Sequence, residues 1–178
     1  MERVILFLAL CTTAIACKTW PNGTDKAFHW YQCNSGPVIF LNATPYDQTG
    51  QNYVYPIHLG KPMMVKCELF NPTTHIYSSP NLKLTLNLWS WGTGLGGCDW
   101  SVLPTFGLLN NLDACSQGVP CPIKTGHQEL DVTVDFSPYQ SIIDILRNDL
   151  PYQIKYFMHD VISGDDLCLM GQARVLLH

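Results

Sequence analysis

Several segments after Pro62 alternate apolar and polar residues with a period of two, the mark of strands with one buried face. Leu82, Leu84, Leu86 and Leu88 share one face, with Lys83, Thr85 and Asn87 on the other. Leu130, Val132, Val134 and Phe136 are set against Glu129, Asp131, Thr133 and Asp135, and Val65, Cys67 and Leu69 against Lys66 and Glu68. Further strands are expected over Tyr152–Asp160 and Leu167–Leu177, with weaker ones over Phe28–Cys33, Val38–Asn42 and Tyr53–His58. Strands at this spacing, parted by Pro, Gly and Asn clusters, predict an all-β chain folded as a β-sandwich.

Two segments break the period. Ser137–Leu150 carries Ile142, Ile143, Ile145 and Leu146 around Asp144 and Arg147, which predicts a short amphipathic helix stopped by Pro151. Trp89–Cys115 is broken by Gly and Pro, too irregular for a long strand or helix, and too apolar for a solvated loop. It either folds over the core as a lid, or forms the mouth of an apolar pocket or a membrane contact.

The first residues change the compartment. Arg3, the apolar run Val4–Cys11 and Ala14-Ile15-Ala16 match an export signal, read here as residues 1–17, followed by one domain over 18–178. The run is shorter than the ~20 residues that span a bilayer. Sequons at Asn22 and Asn42 fit a glycoprotein of the secretory route. The eight cysteines suit an oxidising lumen. Cys11 leaves with the signal, and an even count favours removal or loose placement of Cys17. Cys33, Cys67, Cys98, Cys115, Cys121 and Cys168 remain, and the residues alone leave their pairing open. Cys115 and Cys121 flank a turn-like stretch suited to a local bridge.

Charge and motifs then remove function classes. A net charge of −4, with ten Lys and Arg spread without a cluster, makes a poor nucleic-acid binder. Gly92-Thr93-Gly94-Leu95-Gly96-Gly97 matches G-x-G-x-x-G, but it runs into Cys98-Asp99-Trp100 without helical periodicity. A dinucleotide site needs those glycines to open a helix, so they read as a glycine-rich turn. No nucleophile elbow, paired-histidine metal motif or phosphate loop occurs, so neither a metal nor a cofactor is expected, and the chain is read as non-enzymatic.

Phe28-His29-Trp30-Tyr31-Gln32-Cys33 opens the body, Cys121-Pro122-Ile123-Lys124-Thr125-Gly126 follows the short cysteine loop, and Cys168 sits in the last strand. In this order the features resemble the ML lipid-recognition family, over about Phe28 to Leu177. The ganglioside activator branch looks nearer than the Niemann–Pick sterol carrier. The resemblance implies an immunoglobulin-like sandwich of two antiparallel sheets, splayed to hold a lipid, with one short helix or helical loop. It implies bridges Cys33–Cys168 and Cys115–Cys121, leaving Cys67 with Cys98.

The ligand expected from that resemblance is a glycolipid, phospholipid or sterol. Its walls are expected from Val65, Leu69, Leu84, Leu86 and Leu88, from Leu130, Val132, Val134 and Phe136, and from Ile154 and Tyr156. Trp91, Trp100, Leu103 and Phe106 are expected at its mouth, with Trp89, Ile142, Ile143 and Leu146 as membrane contacts. A lysosomal hydrolase is an implied partner, and the secreted or lysosomal lumen the implied location. The rival reading is an extracellular protein-recognition module whose sandwich core is filled.

Overall fold

The computed structural model describes residues 17, 19–94 and 97–177; the apolar segment read as an export signal lies outside the described residues. The chain forms a two-layer β-sandwich. The larger sheet runs in the order β1 (His29–Gln32), β10 (Asp166–Leu176), β9 (Leu150–Asp160), β5 (Leu82–Gly94) and β6 (Gly97–Leu103). Short β7 (Leu112–Asp113) pairs with β5, and β3 (Ile57–His58) adds the single parallel pairing of the described strands, against Val175 and Leu176 of β10. The smaller sheet is β2 (Ile39–Tyr46), β4 (Met63–Asn71) and β8 (Gly126–Val134), all antiparallel.

The period of two decides which residues meet between the layers. In β5, Leu82, Leu84, Leu86 and Leu88 are buried while Lys83, Thr85 and Asn87 are only half-buried on the opposite face. Register carries that face across the sheet: Leu84 lies opposite Met158, Leu86 opposite Tyr156 and Leu88 opposite Ile154. On β10 the same face presents Leu167, Leu169, Gly171, Ala173 and Val175. The smaller sheet answers with Val65 opposite Val132 and Cys67 opposite Leu130, so two apolar faces confront each other.

Three expectations are corrected. The irregular segment after Trp89 is largely strand: β5 continues to Gly94 and pairs with β6, Trp91 facing Trp100 across the ladder. Serines and glycines at the inward positions disguised the alternation there. The expected helix shrinks to one turn, α1 (Gln140–Ile143). Beyond it the Tyr152 hydroxyl accepts from the Arg147 amide at 2.7 Å and donates to the Arg147 carbonyl at 2.9 Å, holding that backbone in place of helical partners. Asp149 then takes a left-handed φ of 61°, which ends the segment as β9 begins. The strand expected over Tyr53–His58 is reduced to β3 because Pro56 offers no amide to a ladder.

The disulfides give the fourth correction. Cys33–Cys168 ties the start of the body to β10, and Cys115–Cys121 closes a local loop. Cys98 bonds to Cys17 rather than Cys67, with Cα atoms 5.5 Å apart. Cys67 is free and buried, because it faces the space between the sheets while Cys98 shares the outward parity of Trp100 on β6. Cys17 therefore belongs with the folded body.

The bridge fastens an N-terminal strap over the outer face of the larger sheet. Trp91 donates its indole N–H to the Thr19 carbonyl at 3.0 Å, and the Arg174 guanidinium lies 5.3 Å from the Trp20 ring centre. Beneath the strap, Gln172 and Gln153 are buried and bonded to one another, and Asn22 donates to Gln172 Oε1 at 2.6 Å. The strap thus covers polar side chains that would otherwise need water.

Candidate functional site

Between the sheets the packing is incomplete. Two adjoining apolar lobes, each with a cavity volume of about 80 Å³, share Phe28, Met63, Phe136, Ile154 and Gly171 as a waist. The first lobe lies toward α1 and is walled by Leu88, Leu103, Ile142, Ile143, Leu146, Ala173 and Val175. The second lies deeper and takes Val65, Cys67, Leu69, Leu130, Val132 and Val134 from the smaller sheet, with Tyr156, Met158 and Leu169 from the larger. Among the described residues, no carboxylate, lysine, arginine or histidine lines either lobe. An apolar ligand could enter without stripping water from a charge.

Gly171 creates the waist. A Cβ at this position would stand 3.0 Å from Cζ of Phe28, so the missing side chain is the space the ring occupies. Leu59, Ile143 and Leu146 line both the first lobe and a surface hollow of about 320 Å³ beside Ser137, Gln140 and Leu177. These shared walls make that hollow the candidate mouth.

The second lobe holds two polar hydrogens. Burial pushes the Cys67 thiol up to about 12, so it stays protonated. Burial also pushes the Tyr156 phenol well up, with the neighbouring Cys67 and Tyr139 adding to the effect. Both groups are neutral at any physiological pH.

Of the residues expected as walls, Val65, Leu69, Leu88, Leu130, Val132, Val134, Phe136, Ile154 and Tyr156 line the lobes, as does Leu103, expected at the mouth. Leu84 and Leu86 do not; they sit in the filled part of the core that also holds Leu109, Ala114 and Ile123. Trp91 and Trp100 are turned to the outer face, where their rings meet edge-on at 5.2 Å. The parity of β5 dictates this, since Leu88 faces in and Trp89 and Trp91 must face out. Trp89 accordingly borders an open hollow on that outer face with Tyr31, Val102 and Met170. Phe106 is 66% exposed in the loop after β6 and lines neither lobe.

The expected membrane rim is likewise redrawn. Ile142 is buried, and Ile143 and Leu146 are cavity walls as well as mouth residues. Trp89 lies on a different face and cannot join them. Sequence reasoning missed Phe28, Met63, Gly171 and the face of β10; alternation in Leu167–Val175 carried that signal, whereas the roles of Phe28 and Met63 depend on long-range packing.

No family model matches the chain, and no curated protein matches it. Among solved structures, it is similar to a Niemann–Pick type C2 protein from Japanese carpenter ant, at 15% identity and a TM-score of 0.45, over 83% of this chain and 98% of that one.

Proposed function

We propose that this chain is a non-enzymatic lipid carrier of the ML lipid-recognition type, working in the secretory route or the lysosomal lumen. The observation that carries the reading is the pair of lobes without a charged wall among the described residues, the first of which shares walls with the hollow beside α1. Moving a sixteen-carbon chain out of water is worth roughly 13 kcal/mol at about 0.8 kcal/mol per CH₂. A bilayer already provides that gain, so a carrier must offer an equally dry interior, and these walls do.

The two lobes together are comparable with the roughly 150 Å³ apolar cavity that stays dry and binds benzene. A long chain therefore enters only if Phe28, Met63 and Phe136 give way at the waist. Methionine, with three rotatable bonds, suits a wall that must re-pack. The lipid's polar head stays at the mouth, among Ser137, Gln140 and Asp144. Delivery would be to a membrane or to a hydrolase acting on the presented head group; glycolipid, phospholipid and sterol are the candidate cargoes.

Native mass spectrometry of the chain secreted from eukaryotic cells tests this. A bound mass that organic solvent releases as lipid supports the carrier. A protein that is empty, and stays empty after incubation with mixed phospholipid and glycolipid vesicles, overturns it.

A further inference from the structure

We infer that the second lobe accepts a ligand segment carrying a neutral oxygen, a hydroxyl or carbonyl, bound by the Tyr156 hydroxyl. This inference rests on the carrier reading and specifies its ligand. The buried and half-buried tyrosines differ in their hydroxyl partners. Tyr77 donates to Asp165 at 3.0 Å, Tyr139 to Gln117 at 2.9 Å, Tyr152 to the Arg147 carbonyl at 2.9 Å, and Tyr55 to the Thr24 carbonyl. Tyr156 lines the second lobe and is only partly buried, and among the described residues none meets its hydroxyl. A hydroxyl set against hydrocarbon walls gains a partner only from water or from a ligand oxygen.

The register shows which face of the sheet Tyr156 occupies. Tyr156 lies opposite Leu86 and Leu169 on the inward face of β9 and lines the second lobe. Its surroundings there are otherwise hydrocarbon, apart from the Cys67 thiol on the facing sheet. Tyr152, which lines the first lobe, precedes it by four residues of one strand, roughly 13 Å at about 3.3 Å per residue. A chain entering at the mouth therefore reaches the hydroxyl with its interior or far end, not its head.

Chemistry narrows the class further. The phenol is neutral and donates one hydrogen, and among the described residues no cation lines the lobe. An ionised carboxylate or phosphate placed there would be an uncompensated buried charge. An uncharged hydroxyl, ketone or ester carbonyl exchanges one hydrogen bond with Tyr156 and satisfies both partners. The lobe thus discriminates an oxygenated chain from a plain one at a defined depth.

The test uses hexadecanoic acid and a set of its monohydroxy forms, with the hydroxyl at carbons 8 to 16. Each displaces the neutral fluorophore N-phenyl-1-naphthylamine from the delipidated chain and from Tyr156→Phe. For at least one position, the intact protein should hold the hydroxy acid as tightly as the plain acid, or roughly three- to tenfold tighter, the value of one hydrogen bond. Tyr156→Phe should bind plain acid equally well but lose at least tenfold for that hydroxy acid. It should also keep its melting temperature, because the hydroxyl gives up no protein partner.

Equal treatment of every hydroxy acid by both proteins overturns the inference and leaves the carrier standing. So does a large loss of stability in Tyr156→Phe, which would reveal a structural partner. Failure of the plain acid to bind either protein instead defeats the carrier reading itself.

Discussion

Phe28 and Gly171 share one space: a Cβ on Gly171 would stand 3.0 Å from Cζ and 3.2 Å from Cε2 of the Phe28 ring. Both residues line both lobes, so this contact sets the width of the passage between them. Gly171 has an ordinary strand backbone that other residues can adopt, so substitution tests space rather than backbone strain. Gly171→Leu should drive the ring into the waist and weaken binding of sixteen-carbon acids at least tenfold, read by probe displacement. Phe28→Ala should do the opposite and admit bulkier ligands. Its stability cost should fall below the roughly 3–5 kcal/mol of Phe→Ala in filled cores, because the ring is half-buried beside existing space.

Cys17 and Cys98 close a loop with a sequence separation of 81. Removing such a bridge typically costs about 2–5 kcal/mol. Cys17→Ser with Cys98→Ser should lower the melting temperature and speed amide exchange around Gln153 and Gln172, which the strap covers. Non-reducing peptide mapping of the secreted chain should link Cys17 to Cys98, with Cys67 alkylated only after unfolding. A Cys67–Cys98 peptide would refute the assignment.

The sequons separate on the same grounds. Asn42 is exposed on β2, an edge strand of the smaller sheet, and Thr44 contacts its own side chain. Asn22 instead spends its amide nitrogen on Gln172, and Thr24 is buried with its hydroxyl on the Pro21 carbonyl. Enzymatic deglycosylation should remove one glycan's mass, and Asn42→Gln should abolish that shift while Asn22→Gln leaves it.

The carboxylates predict the acid limb of stability. The hydrogen bond from Arg174 holds Asp149 below the usual range, and the hydrogen bond from His75 does the same to Asp165. A folded pKa below the unfolded ~3.9 means stability that is whole above that value and lost as pH falls through the folded pKa. At the alkaline end, burial raises Cys67 and Tyr77 to about 12. Their contribution is whole below the unfolded values and lost as pH rises towards 12. Melting temperature should therefore be nearly flat from roughly pH 5 to 8, fall outside that window, and show a shallower acid limb in Asp149→Asn. A steep fall between pH 7 and 5 would contradict the assignment.

The strands most legible in the sequence were those with one clean face. Leu82–Leu88 and Leu130–Val134 announced both their conformation and their inward residues through alternation alone. The same rule, carried three residues past Leu88, turns Trp89 and Trp91 outward; their bulk drew attention that their parity did not support. The helix over Ser137–Leu150 failed because a side chain five residues away, Tyr152, captures the Arg147 backbone, and no local period reports that. Cys17 was obscured by its place beside an apolar run, since cysteine pairing is decided by which Cα atoms the fold brings together. The cavity itself was not legible: alternation describes a face but not whether the opposite face touches it.

An acyl chain labelled with bromine near its far end offers the most direct test, because anomalous scattering from a crystal of the complex locates one atom. The account predicts bromine between the sheets, among Leu69, Leu130 and Tyr156 in the second lobe. Bromine on the outer face beside Trp89 and Val102, with the interior unchanged, would contradict it.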